Sequence, residues 1–283
     1  MKFQLKGLAY IFFSSLVLSA PVLASTAVVT HSYYKGESTA RNIASAPINS
    51  VDKFEIIGGL GIAKLRAGNA ELAVTRSETD RLKQTNANSF NTTATQLGVG
   101  YVHYFVNTQQ YPDQILWFTS IEPELNFYTL TGGSIKGNVW RFGNSNFNQL
   151  SYEIPVRSMR LMLDAALTVA SYNQLSLYGI AGIGNAWNRI SYKDQDGSSD
   201  SCANQNLSLD GNTSSHFAWE VGAGLTYEFN QHIGLSIEYL YTYLGTVKTS
   251  ARGNTGNISV PIAAPARFNL KPQTALLILH IAL

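Results

Sequence analysis

The links between the apolar stretches of this 283-residue chain alternate long and short, and that alternation constrains its fold more than any other feature. Eight segments of mixed apolar and polar residues stand at 54–65, 95–107, 115–130, 149–168, 175–192, 216–229, 233–247 and 268–283. Long links at 66–94, 131–148, 193–215 and 248–267 interleave with short ones at 108–114, 169–174 and 230–232. Inside the segments, side chains alternate. Phe217, Trp219, Val221, Ala223, Leu225, Tyr227 and Phe229 share one parity, while His216, Glu220, Gly222, Gly224, Thr226 and Glu228 share the other. Successive side chains of a strand point to opposite faces, so this strand has one apolar wall and one small or polar wall. Ile233, Leu235, Ile237, Tyr239, Tyr241 and Tyr243 repeat the pattern after Asn230-Gln231-His232, which joins the two as a hairpin. An up-and-down sheet with long loops at one end and tight turns at the other predicts an all-β, eight-stranded antiparallel transmembrane β-barrel over residues 51–283.

Residues 1–24 fit export. Lys2 and Lys6 precede an apolar run from Leu8 to Leu18, and Val22-Leu23-Ala24 offers a small residue at the cut. That is the pattern of a cleaved secretory signal peptide, too short for a spanning helix. No later apolar run approaches the roughly 20 residues a membrane helix needs. Aromatics reach 11%, with 15 Tyr, against 13% charged residues, well below the roughly 25% charge usual in soluble domains. Without Lys2 and Lys6 the basic and acidic residues balance at 18 each. A neutral chain with no basic stripe gives no case for nucleic acid. The one cysteine, Cys202, has no partner for an internal disulfide.

The polar wall predicts a filled interior. On the first segment Phe54, Ile56, Leu60 and Ile62 face outward and Glu55, Gly59, Gly61 and Ala63 inward; on the last, Leu277, Leu279 and Ile281 face outward and Thr274, Ile278 and His280 inward. Trp117, Trp187, Trp219 and Tyr227 suit interfacial girdles. Folding the 115–168 hairpin about 131–148 sets Glu122 opposite Arg157, Glu124 opposite Pro155 and Asn126 opposite Glu153. The change of apolar parity after Arg157 predicts a bulge near Arg157–Ser158. The inward charged set is then Glu122, Glu124, Glu153, Arg157, Arg160, Asp164, Glu220, Glu228 and Glu238. Charges enclosed in a lumen must pair. They form either a packed salt-bridge network or, alternatively, an ion path or a catalytic carboxylate pair; eight strands enclose a space that side chains can fill.

The long links either carry recognition chemistry or form a passive solvated crown. Trp140, Phe142 and Phe147 stand among Gly, Asn and Ser in 131–148, and are the expected contact residues. Asp194, Asp196, Asp200 and Asp210 make 193–215 acidic, but DQDGSSD lacks the spacing and terminal Glu of a calcium loop. Residues 25–50 show no period and are expected to form a periplasmic tail or to enter the lumen. His31, His103, His216, His232 and His280 have no metal-selecting spacing, and neither GxSxG nor HExxH occurs. No catalytic residue, metal or cofactor is expected.

With its leader ending VLA, the glycine-rich GGLGIA (58–63), GIAGIGNAW (179–187) and WEVGAGLTYEF (219–229), and the closing TALLILHIAL, the chain resembles the small bacterial outer-membrane β-barrel superfamily, the opacity-type domains. It ends in Leu283 where such barrels commonly finish on an aromatic residue. The resemblance implies an outer-membrane location and contact with outer-membrane lipid. It also implies a structural or adhesive role through four surface loops, with a host surface or matrix ligand as partner. A narrow channel and a lipid-modifying enzyme are the alternatives.

Overall fold

The computed structural model describes residues 52–108, 111, 113–148, 150–196, 206–256 and 258–283. The expected signal peptide (1–24), residues 25–50 and Cys202 lie outside the described residues. Eight strands form one antiparallel ring: β1 Lys53–Lys64, β2 Phe90–Tyr104, β3 Ser120–Trp140, β4 Leu150–Tyr172, β5 Leu175–Asp196, β6 Leu207–Glu228, β7 Ile233–Tyr243 and β8 Gln273–Ala282. Each pairs with its chain neighbours, and β1 closes on β8 from Glu55↔Ala282 to Lys64↔Gln273. Closure leaves the ring no open edge. Short strands fill the long links. Ala70–Ala73 and Thr79–Gln84 form a hairpin that pairs with the end of β3, while Arg252–Thr255 pairs with Ile258–Pro261 and with the start of β6.

β3 to β6 run well past the sequence expectation, absorbing much of 131–148 and 193–215. A membrane-spanning strand needs only about 9–11 residues, and these have 21 to 23. In β4 the even residues face inward from Tyr152 to Ala166. In the half nearer the tight turns the inward residues include the charged Arg160 and Asp164, beside Met162 and Ala166, and the outward ones are apolar (Met159, Leu161, Leu163). In the half nearer the long loops Tyr152, Ile154 and Val156 point in and Glu153, Pro155 and Arg157 point out. The strand leaves an apolar surrounding for an aqueous one, so its two faces exchange chemistry while its parity stays fixed.

This corrects three expectations together. Glu153 and Arg157 are not luminal. Glu153 bridges outward to Lys136 at 3.1 Å, and Arg157 is exposed opposite Arg189. Glu122 stands opposite Ala166 rather than Arg157, and Glu124 opposite Asp164 rather than Pro155, because the hairpin is centred near Asn144 and not between Val139 and Trp140. The bulge lies across the ladder in β3, between Leu130 and Gly133, and facing Arg157.

The outward surface carries Leu60, Leu97, Leu125, Leu163, Ile183, Leu225, Ile237 and Leu277 exposed in a band. Phe54–Tyr101 and Tyr227–Phe229 ring pairs flank it at the tight-turn end, at 4.9 and 5.1 Å. Trp219 contacts Tyr241 and Tyr243 at 5.8 and 6.1 Å on the other side. An apolar belt between two aromatic girdles is the outer surface of a bilayer-spanning barrel.

The interior has two tiers. Above, Ile135, Val139, Tyr152, Ile154, Val156, Ile190 and Tyr192 pack with Leu72 and Leu82 of the outer hairpin and with Phe268. Below, polar side chains share the ring with Ile57, Met162, Ile180 and Ile278, and inward glycines give them room. A Cβ on Gly98 would overlap Asn126 Oδ1, and one on Gly182 would overlap Asp164 Oδ1; each glycine stands directly opposite the residue it admits.

Candidate functional site

Arg160 anchors the lower tier. It is 1% exposed, its Nη2 lies 3.0 Å from Glu220 Oε2, and its guanidinium carbon sits 4.1 Å from the Tyr128 ring centre. Thr242 Oγ1 donates to the same Glu220 oxygen at 2.9 Å. Charge and ring contact hold the guanidinium more than aligned hydrogen bonds do, since Nε and Nη2 meet no acceptor in bonding geometry. Asn126 Nδ2 donates to Glu124 Oε2 at 2.6 Å and to Asp164 Oδ2 at 2.9 Å, and Gln96 Nε2 donates to Asn126 Oδ1 at 3.1 Å. Tyr178 donates to Glu238 at 2.9 Å. A cross-ring network of this kind fixes the strands against one another.

Nearer the tight turns a cavity of about 60 Å³ opens, lined by Lys53, Glu55, Glu122, Glu124, Glu228 and His280 among others. Lys53 Nζ lies 2.9 Å from Glu55 Oε1 and 3.6 Å from Glu228 Oε1. His280 places Nδ1 3.0 Å from Glu55 Oε2 and Nε2 2.9 Å from Ser236 Oγ. Carboxylate, imidazole and hydroxyl thus stand in the order used for nucleophilic catalysis. Ser236, however, is 0% exposed and its Oγ also lies 2.7 Å from Thr226 Oγ1. No substrate carbonyl reaches it there.

At the opposite end the apex between β3 and β4 is a 3-10 turn, Arg141–Gly143. Phe142 has φ 53°, a left-handed conformation costing a non-glycine residue about 1–2 kcal/mol. Neighbours hold it there. Asp80 Oδ1 accepts the Phe142 amide at 3.1 Å, and Arg141 donates Nη2 and Nε to Glu78 Oε1 at 2.8 and 3.1 Å. Both carboxylates come from the outer hairpin, whose Arg81 pairs with Trp140. Phe142 and Phe147 are 57% and 53% exposed and meet edge to face at 6.4 Å. Trp140 is half-buried, with Lys83 Nζ 4.8 Å from its ring.

The model of the outer membrane protein beta-barrel domain family matches residues 44–263. The chain belongs to that family. It is therefore an outer-membrane barrel, a class in which the long loops face out and the tight turns face the periplasm. No curated protein matches it. Among solved structures, it is similar to the outer membrane protease OmpT of Escherichia coli at 9% identity, with 84% of this chain and 98% of that one covered and a TM-score of 0.42. OprG of Pseudomonas aeruginosa is 16% identical, with 82% and 95% covered and a TM-score of 0.39. Ail of Yersinia pestis is 13% identical, with 82% and 99% covered and a TM-score of 0.32.

Of the residues expected in the barrel lumen, Glu122, Glu124, Arg160, Asp164, Glu220 and Glu238 face inward in the lower tier, and Glu228 lines the periplasmic mouth. Glu153 and Arg157 do not join them. Trp140, Phe142 and Phe147 lie together at the outer apex. The Glu55–His280–Ser236 chain escaped sequence reasoning, although each of its members has inward parity. The missing step was closure: only the β8–β1 and β7–β8 registers bring His280 opposite Ile57 and Gly234.

Proposed function

We propose that this outer-membrane barrel is a non-enzymatic surface protein, structural or adhesive, recognising a host surface or matrix ligand through the β3–β4 apex. The observation that carries the reading is the Phe142–Phe147 pair: two aromatic rings over half exposed, on a turn braced by Asp80 and Glu78. Aromatic anchors supply much of the energy at protein interfaces. A braced turn loses little freedom when it binds. The filled interior weighs against a narrow channel, and the burial of Ser236 weighs against a lipid-modifying enzyme built on the Glu55–His280–Ser236 chain.

The test is a Phe142→Ser, Phe147→Ser double variant expressed on cells. Its heat-modifiable folding is expected to match the parent, while adherence to host cells or matrix falls severalfold. If the parent confers no adherence, or the variant adheres equally, the apex is not a recognition surface and a structural role is the better account.

A further inference from the structure

The periplasmic mouth gathers carboxylates faster than cations. Glu55, Glu122, Glu124 and Glu228 line its cavity with Lys53 and His280. Lys53 lies against Glu55 and Glu228. Glu122 makes no ion pair among the described residues, and its Oε1 is shut off from solvent with no hydrogen-bond partner. A buried carboxylate oxygen in that condition is costly unless it is protonated or a cation joins it.

The surroundings of Glu122 aim it at a particular place. Gly100 stands opposite Glu55 on one side and Glu124 on the other. A Cβ on Gly100 would overlap Glu122 Oε1, so the Glu122 side chain lies across bare glycine backbone toward β1. One oxygen each of Glu55 and Glu122 and a ring nitrogen of His280 then fall within 4.8 Å of one another. His280 is fixed from behind, Nε2 against Ser236 Oγ and Ser236 against Thr226. Metal-binding histidines are oriented in the same way, through a hydrogen bond on the second nitrogen.

We infer that Glu55, Glu122 and His280 hold a divalent transition-metal ion of the Zn²⁺ class, entering from the periplasmic cavity. One imidazole with two carboxylates suits such an ion, whereas Ca²⁺ and Mg²⁺ prefer all-oxygen shells. Bond lengths near 2.1 Å bring tetrahedral ligand atoms to about 3.4 Å. The cluster therefore contracts on binding, and Glu122, whose Oε1 gives up no hydrogen bond, is the ligand that moves. His280 takes the ion on Nδ1. It does so as the neutral Nε2–H tautomer, with no proton on the ligating nitrogen and with Nε2–H donating to Ser236 Oγ. The cavity side leaves room for a bound water.

The full mature chain, refolded in detergent micelles and stripped with a chelator, is titrated with Zn²⁺ by calorimetry, with Mg²⁺ in parallel. One saturable Zn²⁺ site is expected, together with a higher unfolding midpoint in Zn²⁺ than in Mg²⁺. Glu122→Gln and Gly100→Ala should each weaken the site on the order of tenfold or more. Gly100→Ala is the sharper variant: it keeps every charge and displaces only the Glu122 side chain. Heat-modifiable mobility shows that each variant has folded, and Gly100→Ala decides if Glu122→Gln does not. No saturable heat in the parent would overturn the inference. So would equal affinity in parent and folded Gly100→Ala, which would place the ion on surface histidines such as His103 or His232.

Discussion

Arg160 is wedged between the Tyr128 ring and the Glu220 carboxylate, with almost no surface of its own. Truncating it leaves Glu220 enclosed with Thr242 as its hydrogen-bond donor. Removing one partner of a buried pair typically costs about 3–5 kcal/mol. Arg160→Ala is expected to lower the unfolding free energy obtained from urea titration by an amount in that range, and adding Glu220→Gln should recover part of the loss. Strictly additive losses in the double variant would show that the two residues do not couple. Arg157 offers the contrast. It shares the strand and the charge, yet its exposed position opposite Arg189 makes Arg157→Ala close to neutral. From sequence, the two arginines looked alike because the change of face chemistry between them resembled a change of parity.

The strands that extend above the aromatic girdle behave as elements of a soluble sheet. Their outward residues are Lys136, Asn138, Arg189 and Lys193, and their inward ones Ile135, Val139, Ile190 and Tyr192. Asp194 is the exception, lying inside this tier beyond the lipid belt. Burial pushes its carboxyl up to about 7 from the ordinary 3.8, against the Leu207 amide, which favours the charged form. A carboxyl raised in the folded state binds its proton more tightly there than in the unfolded chain. Its stabilising contribution is full below about 4 and is lost as pH rises through about 7. Asp80, in the adjoining hairpin, is raised by burial too, and works in the same direction. Amide exchange at residues 190–194 and 207–209, corrected for intrinsic rates, should be faster at about pH 8 than at about pH 5. Asp194→Asn should remove most of that difference. Slower exchange at the higher pH would contradict the assignment. The lower halves of the strands were legible in sequence because lipid imposes an apolar parity on residues such as Phe217–Phe229. The upper halves were not: RISYKDQD reverses that parity, and SIKGNVW follows the bulge between Leu130 and Gly133, so both read as loop.

For the whole molecule, strand number, the position of the tight turns and the outward parity of β1, β6, β7 and β8 could all be read from alternation and link length. The ring's cross-strand contacts could not. Glu55 meets His280 across 225 positions, and Arg160 meets Glu220 only through two successive registers. One claim unites the tiers: a closed barrel spans the outer membrane with the β3–β4 apex outside and the β6–β7 turn inside. It is tested most directly by single cysteines in a Cys202→Ser background, Phe142→Cys at the apex and Gln231→Cys in the turn, treated with a membrane-impermeant maleimide. On intact cells Phe142→Cys should label and Gln231→Cys should not, until the outer membrane is opened. Equal labelling of both on intact cells, or labelling of Gln231→Cys alone, would contradict the account.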